Sequence, residues 1–206
     1  MFSYIARSKR IVGGRTIVFI FGGYDGISST YKSVIQRYDG TNISTDAATL
    51  ASVITSHSTS AIGSNSFIFG GDDTTAPLNT IQKYTGTTRS TVNILYSVNR
   101  YSSSCTIGSN AFIFGGNDNV SSGTKSNTIQ RYDGTTRSID SATLASVNIN
   151  SSAATIGSNA FIFGGYSSTY LNTIQKYDGT TRSTDSSSMS TSLTQVNACL
   201  TTDSYS

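Results

Sequence analysis

Four short segments hold the residues best suited to recognition chemistry. They are Tyr24-Asp25-Gly26-Ile27-Ser28-Ser29-Thr30-Tyr31-Lys32, Asp72-Asp73-Thr74-Thr75-Ala76-Pro77-Leu78, residues 117–126, and Tyr166-Ser167-Ser168-Thr169-Tyr170-Leu171. Tyr24, Tyr31, Tyr166 and Tyr170 supply rigid amphipathic rings, and Asp25, Asp72, Asp73, Asn117 and Asp118 supply polar groups beside them. Tyr mixed with Ser, Asn and Asp suits adaptable contact with a protein surface. It also suits sugars, whose C–H faces stack on rings while their hydroxyls bond carboxylates and amides. These nine residues are the candidate binding positions, for a protein or a glycan.

Catalytic chemistry finds less material. The chain has one histidine, His57, so a copper site with two His ligands cannot be built within it. His57 is expected to be a polar residue between two repeated units. Zinc lacks its Cys/His pairs. A Ser/His/Asp triad would have to run through His57, and no nucleophile-elbow pattern surrounds it. All eleven acidic residues are Asp, so a Tyr nucleophile with a Glu partner is excluded as well. The Gly pairs follow apolar strands and open no helix, unlike a phosphate-binding loop. Asp72-Asp73 and Asn117-Asp118-Asn119 could contribute to a calcium site, but no calcium-loop pattern is present. No cofactor is expected, and an enzyme, carbohydrate-active or otherwise, is the least favoured class.

Composition narrows the partners. Lys and Arg number 14 against 11 Asp, and nowhere do they form a run of five or more. A solvated surface is the simpler reading than a nucleic-acid footprint. No apolar run is long enough to cross a bilayer as a helix. Cys105 and Cys199 lie far apart and form no CxxC pair or disulfide framework, so both are expected as small buried residues. Only 12% of residues are charged, and Ser, Thr, Gly and Asn fill much of the chain. This weakly charged surface favours an extracellular or virion-associated setting over a cytoplasmic one.

The elements that must carry these residues are legible as repeats. Phe19-Ile20-Phe21-Gly22-Gly23 recurs at 67–71, 112–116 and 161–165, so successive Gly pairs stand 48, 45 and 49 residues apart. Ile35-Gln36-Arg37-Tyr38-Asp39-Gly40 recurs at 81–86, 129–134 and 174–179. A period in the forties denotes one supersecondary unit stacked on copies of itself. Each unit reads as four short strands, a to d. In the last complete unit, strand a is expected near Asn148–Ile156, b at Ala160–Phe163, c at Thr173–Tyr177 and d from Thr180. Gly-Ser-Asn and Asp-Gly supply the tight turns. The Phe-Ile-Phe runs do not alternate, as befits strands covered on both faces, while the d strands are polar like an outer rim. The recurring Arg and Asp positions are expected to serve every unit alike, in turns and on a wet outer face.

The double glycine after an aromatic–aliphatic strand, with Tyr38, Tyr84, Tyr132 and Tyr177 following 12 to 16 residues later, resembles the kelch repeat. That resemblance implies an all-β propeller. One departure is clear: kelch modules carry a Trp some six residues after the Tyr, and this chain has Ser44, Ser90, Ser138 and Ser183 there. The expectation is a single domain over residues 1–206, with four recognisable four-stranded blades centred on Gly22-Gly23, Gly70-Gly71, Gly115-Gly116 and Gly164-Gly165. Three closures are open: a closed four-bladed ring whose termini are latched by a spare strand, echoing Val147-Asn148 at Val196-Asn197; a larger ring assembled from two chains; and an open array completed by a partner or by further sequence. The segments between b and c should share one face. The function expected is a non-enzymatic scaffold binding through that face, with a structural role in a virion or surface assembly as the alternative.

Overall fold

The computed structural model describes residues 6–12, 15–117, 124–195 and 198. They form four antiparallel four-stranded sheets and, among the described residues, no helix. Sheet 1 is β1 (Ala6–Val12), β2 (Arg15–Asp25), β3 (Thr30–Tyr38) and β4 (Ile43–Thr49). Sheet 2 is β5 (Ser58–Ile62), β6 (Asn65–Phe69), β7 (Thr80–Tyr84) and β8 (Arg89–Ile94). Sheet 3 is β9 (Ser103–Ile107), β10 (Asn110–Phe114), β11 (Thr128–Tyr132) and β12 (Arg137–Thr143). Sheet 4 is β13 (Ser152–Ile156), β14 (Asn159–Phe163), β15 (Leu171–Tyr177) and β16 (Arg182–Leu193). Each sheet is a simple meander, with strands paired in chain order.

The turns follow from their residues. Gly63, Gly108 and Gly157 start the two-residue a-to-b turns with φ of 57–60°, where glycine carries no steric cost. At the c-to-d turns Asp39, Asp133 and Asp178 each accept two backbone N–H groups through Oδ1. Asp133 and Asp178 also accept a Thr hydroxyl, and these bonds hold both carboxyls down at about 2. The repeated Asp is a turn residue, as the repeats suggested.

The sheets stand face to face in chain order, β1 against β5, β5 against β9 and β9 against β13. One apolar cluster fills each joint. Phe19 and Phe21 of sheet 1 meet Ile68 and Tyr84 of sheet 2. Phe67 and Phe69 meet Ile113 and Tyr132, and Phe112 and Phe114 meet Ile162 and Tyr177. Each Tyr sets its ring edge-on to a Phe pair, with centroids 5.1–6.1 Å apart. At each joint the Phe side of one sheet therefore faces the Ile side of the next. In sheet 2 both sides are covered, which is why its b strand needs no alternation. The d strands lie outermost and are mostly exposed.

Polar groups lock the same joints. Gln82, Gln130 and Gln175 accept the N–H of Ala51, Tyr96 and Ala145 from the sheet before. Arg89 and Arg182 donate Nε–H to the carbonyls of Thr49 and Thr143, and Arg137 stacks on Tyr96 at 4.2 Å. The repeated arginines thus tie sheets together and do not form a free basic ring. The Tyr84 hydroxyl donates to Asp46, and that of Tyr177 to Asp140 at 2.5 Å. In the middle joint Val92 occupies the matching position, and the buried Tyr132 hydroxyl has no hydrogen-bond partner. Restoring the acceptor with Val92→Asp should stabilise the fold by about 1 kcal/mol, read as a raised midpoint in urea unfolding. An unchanged or lower midpoint would show that the hydroxyl is already satisfied.

Two details differ from the sequence expectation. Strand a of the last unit begins at Ser152, and Asn148 lies before it, fully buried in the connection. Asn148 Nδ2 donates to the Gly164 carbonyl, and its own carbonyl accepts the Gly116 N–H, so it is held to the sheets on either side. The corresponding carbonyl in sheet 4 belongs to Leu193, the last residue of β16, which accepts from Gly165. The Val147-Asn148 echo at Val196-Asn197 lies outside the described residues. His57, expected as a polar linker residue, is completely buried. Cys105 is buried as expected, and burial pushes its thiol up to about 11, while Cys199 lies outside the described residues.

Candidate functional site

The residue after each Gly pair begins the variable segment. Those residues are Tyr24, Asp72, Asn117 and Tyr166. Each pairs across a short antiparallel bridge with a second variable residue, giving Tyr24 with Tyr31, Asp72 with Pro77, Asn117 with Lys125 and Tyr166 with Tyr170. The backbone frame is the same four times, while the side chains it carries are a Tyr pair in sheets 1 and 4 and different pairs in sheets 2 and 3. Asp72, Asn117 and Tyr166 also bridge to Thr55, Arg100 and Ile149, which lie in the connections from one sheet to the next.

A cleft of about 500 Å³ opens where the segments of sheets 1 and 2 meet those connections. Tyr24 and Tyr31 form one wall, their rings 5.2 Å apart at 60°. Asp72 to Pro77 form another. Arg100 joins them, its Nη1 lying 3.1 and 3.3 Å from the two Asp72 oxygens. Burial raises the Asp72 carboxyl above its ordinary value, against the opposing pull of the Arg100 guanidinium. Arg100 also lies 5.2 Å over the Tyr101 ring.

The cleft includes Ser56, Tyr101 and Gln195, which sequence reading did not single out. With Asn150 they occupy one repeated position, and all four have φ of 57–60° despite carrying side chains. The Tyr101 N–H donates to the Ser56 carbonyl, Asn150 to Tyr101 and Gln195 to Asn150, at 2.8–2.9 Å. A backbone chain of hydrogen bonds therefore links the four connections and holds this unusual conformation in place. The four positions hold Ser, Tyr, Asn and Gln, so no single residue type marks them in the sequence.

The candidate residues separate accordingly. Tyr24, Tyr31, Asp72 and Asp73 come together at the cleft. Tyr24, Asp25 and Tyr31 lie in strands, contrary to the loop expected there, because the Tyr pair extends the hairpin. Asp25 sits at its tip, and its carboxylate holds the turn through Ile27 and Ser28. The Ser28 hydroxyl, first among these partners, keeps that carboxyl down at about 2. Lys32 pairs with Asp25 at 3.4 Å. Asp73 is lowered likewise by the Thr75 hydroxyl and backbone, so it is a turn residue on the cleft wall. Asn117 is buried, and Tyr166 with Tyr170 forms a second ring pair, 5.2 Å apart, away from the cleft. Lys125 reaches across from sheet 3 to lie 4.2 Å over Tyr166 and donates to the Ser167 carbonyl. Asp118 lies outside the described residues. No three His, Cys, Asp or Glu side chains gather as a metal site among the described residues.

No helix among the described residues is long and apolar enough to cross a membrane. No family model and no curated protein matches the chain. The solved structure of YjhT superposes on it with a TM-score of 0.78, over 94% of this chain and 73% of that one, at 8% sequence identity. Likeness at that identity carries the fold alone: the chain is similar to YjhT in the stacking of its sheets, and its own side chains must account for what the variable face does.

Proposed function

We propose that the chain is a kelch-like propeller scaffold that binds a polar partner, a glycan or a sugar-like protein loop, at the cleft between its first two sheets. The observation that carries this reading is the meeting of the Tyr24–Tyr31 ring pair with the Asp72–Arg100 ion pair across about 500 Å³ of open cleft. The rings offer faces to the C–H surface of a sugar, and the ion pair offers both a donor fork and an acceptor for hydroxyls. Tyr24 and Tyr31 stand on strands, and Asp72 and Arg100 stand on backbone bridges, which supports the arrangement from the main chain. The activity proposed is binding without turnover.

A glycan array with purified protein, followed by titration of each hit, tests this. Tyr24→Ala with Tyr31→Ala should weaken binding about tenfold or more, with the thermal midpoint little changed. Hits that bind the double variant as tightly as the parent would move the site elsewhere. A structural role in a larger assembly is the second reading, favoured by the incompletely covered end sheets described next.

A further inference from the structure

The three internal joints share one design. The Phe side of one sheet receives the Tyr of the next, and in the first and third joints the Tyr hydroxyl reaches back to an Asp on the d strand. At the ends, each half of this joint is left without the other. Tyr38 corresponds to Tyr84, Tyr132 and Tyr177, yet it is 41% exposed where they are 0–1% exposed. Its hydroxyl turns back to donate to the carbonyl of Gly40 in its own turn. Ile20 and Gln36 beside it are only partly buried, whereas Ile68, Ile113 and Ile162, and Gln82, Gln130 and Gln175, are fully buried.

The opposite end carries the complement. Phe161 and Phe163 are partly exposed, although the six equivalent Phe residues are buried. Asp185 occupies the position of Asp46 and Asp140, and it accepts the Ser187 N–H as Asp140 accepts that of Ala142. Among the described residues no tyrosine hydroxyl from a further sheet reaches it. Among the described residues, no packing like that of β9 on β13 joins β13 back to β1.

We infer that the two end sheets form a docking joint between copies of this chain, head to tail, in which Tyr38 of one copy enters the Phe161–Phe163 face of another and its hydroxyl reaches Asp185. The occupant is a second copy because the missing half of each end is found at the other end of the same chain, in a ring packing the chain builds three times internally and a hydroxyl–Asp bond it builds twice. Such a joint is heterologous, so it generates a ring if the rotation closes and a longer array if it does not.

Sedimentation velocity on the full chain, from low to high micromolar, tests it. The wild type should gain mass with concentration. Tyr38→Asp and Phe163→Asp should each be monomeric, with association weakened at least about tenfold. An equimolar mixture of these two variants should form a dimer and nothing larger, because one intact joint survives between them. A wild type that stays monomeric throughout overturns the proposal, whether its ends close on each other or on another molecule. So does a Tyr38→Asp chain that associates like the wild type, or a mixture that stays monomeric while the wild type associates. If Phe163→Asp does not fold, Tyr38→Asp decides alone, since Tyr38 bonds only its own turn.

Discussion

Gly70→Ala should destabilise the protein by about 4 kcal/mol or more, a large fraction of the stability of an ordinary domain. Gly63→Ala should cost only about 1 kcal/mol. Both glycines have φ of 57°, so the left-handed backbone penalty is common to the two. They differ in what surrounds them. A Cβ at Gly63 meets nothing within 4 Å, whereas one at Gly70 would lie 2.0 Å from the carbonyl oxygen of Asn99. That oxygen belongs to backbone and cannot swing aside. It accepts the Gly71 N–H at 2.7 Å, and the Asn99 N–H donates to the Leu78 carbonyl at 2.9 Å. Making room for the methyl group would move the connection between sheets 2 and 3 off the Gly pair and break these bonds in a buried place. Urea unfolding of both variants checks the contrast. Equal losses would mean that the Gly pairs serve only backbone conformation and do not seat the next sheet's connection.

The Gly pairs show how far the sequence could be read. Their spacing, the non-alternating Phe-Ile-Phe runs and the Asp-Gly turns each reflect local physics, so the four sheets and their order were legible. The purpose of the first glycine was not, because the chain passing over it lies some 30 residues away. The candidate site was legible by half. Tyr24, Tyr31, Asp72 and Asp73 stood out because the copies differ there. Arg100, Tyr101 and Gln195 did not, because their meeting depends on a backbone chain of hydrogen bonds that any residue type can make. Tyr38 and Tyr84 are alike in sequence context, and only packing separates the exposed ring from the buried one. Asp25 was singled out for its chemistry and proves to be held within its own turn.

Lowering the pH from 7 to 5 should cost the protein about 2 kcal/mol, and His57 should account for nearly all of it. The chain has one histidine and no Glu, so no other side chain has its ordinary pKa in that interval. His57 is completely buried, and neither ring nitrogen has a hydrogen-bond partner. Burial disfavours the imidazolium and holds the ring down at about 4 from its ordinary 6.5. The nearby Phe21 carbonyl pulls the other way, but it makes no hydrogen bond and burial prevails. The folded protein therefore keeps His57 neutral while the unfolded chain takes up a proton below pH 6.5. Stability is fully present above that value, falls as the pH drops, and is down by about 3 kcal/mol near pH 4. For a chain of this length, the loss by pH 5 corresponds to a thermal midpoint lower by roughly 4–8 °C. The equivalent positions in the next two connections are Ser102 and Ser151. His57→Ser should shift the stability at pH 7 through lost packing, yet leave it nearly flat between pH 7 and 5. A variant that keeps the wild-type slope would place the titrating group elsewhere, with the raised carboxyl of Asp72 the first to examine.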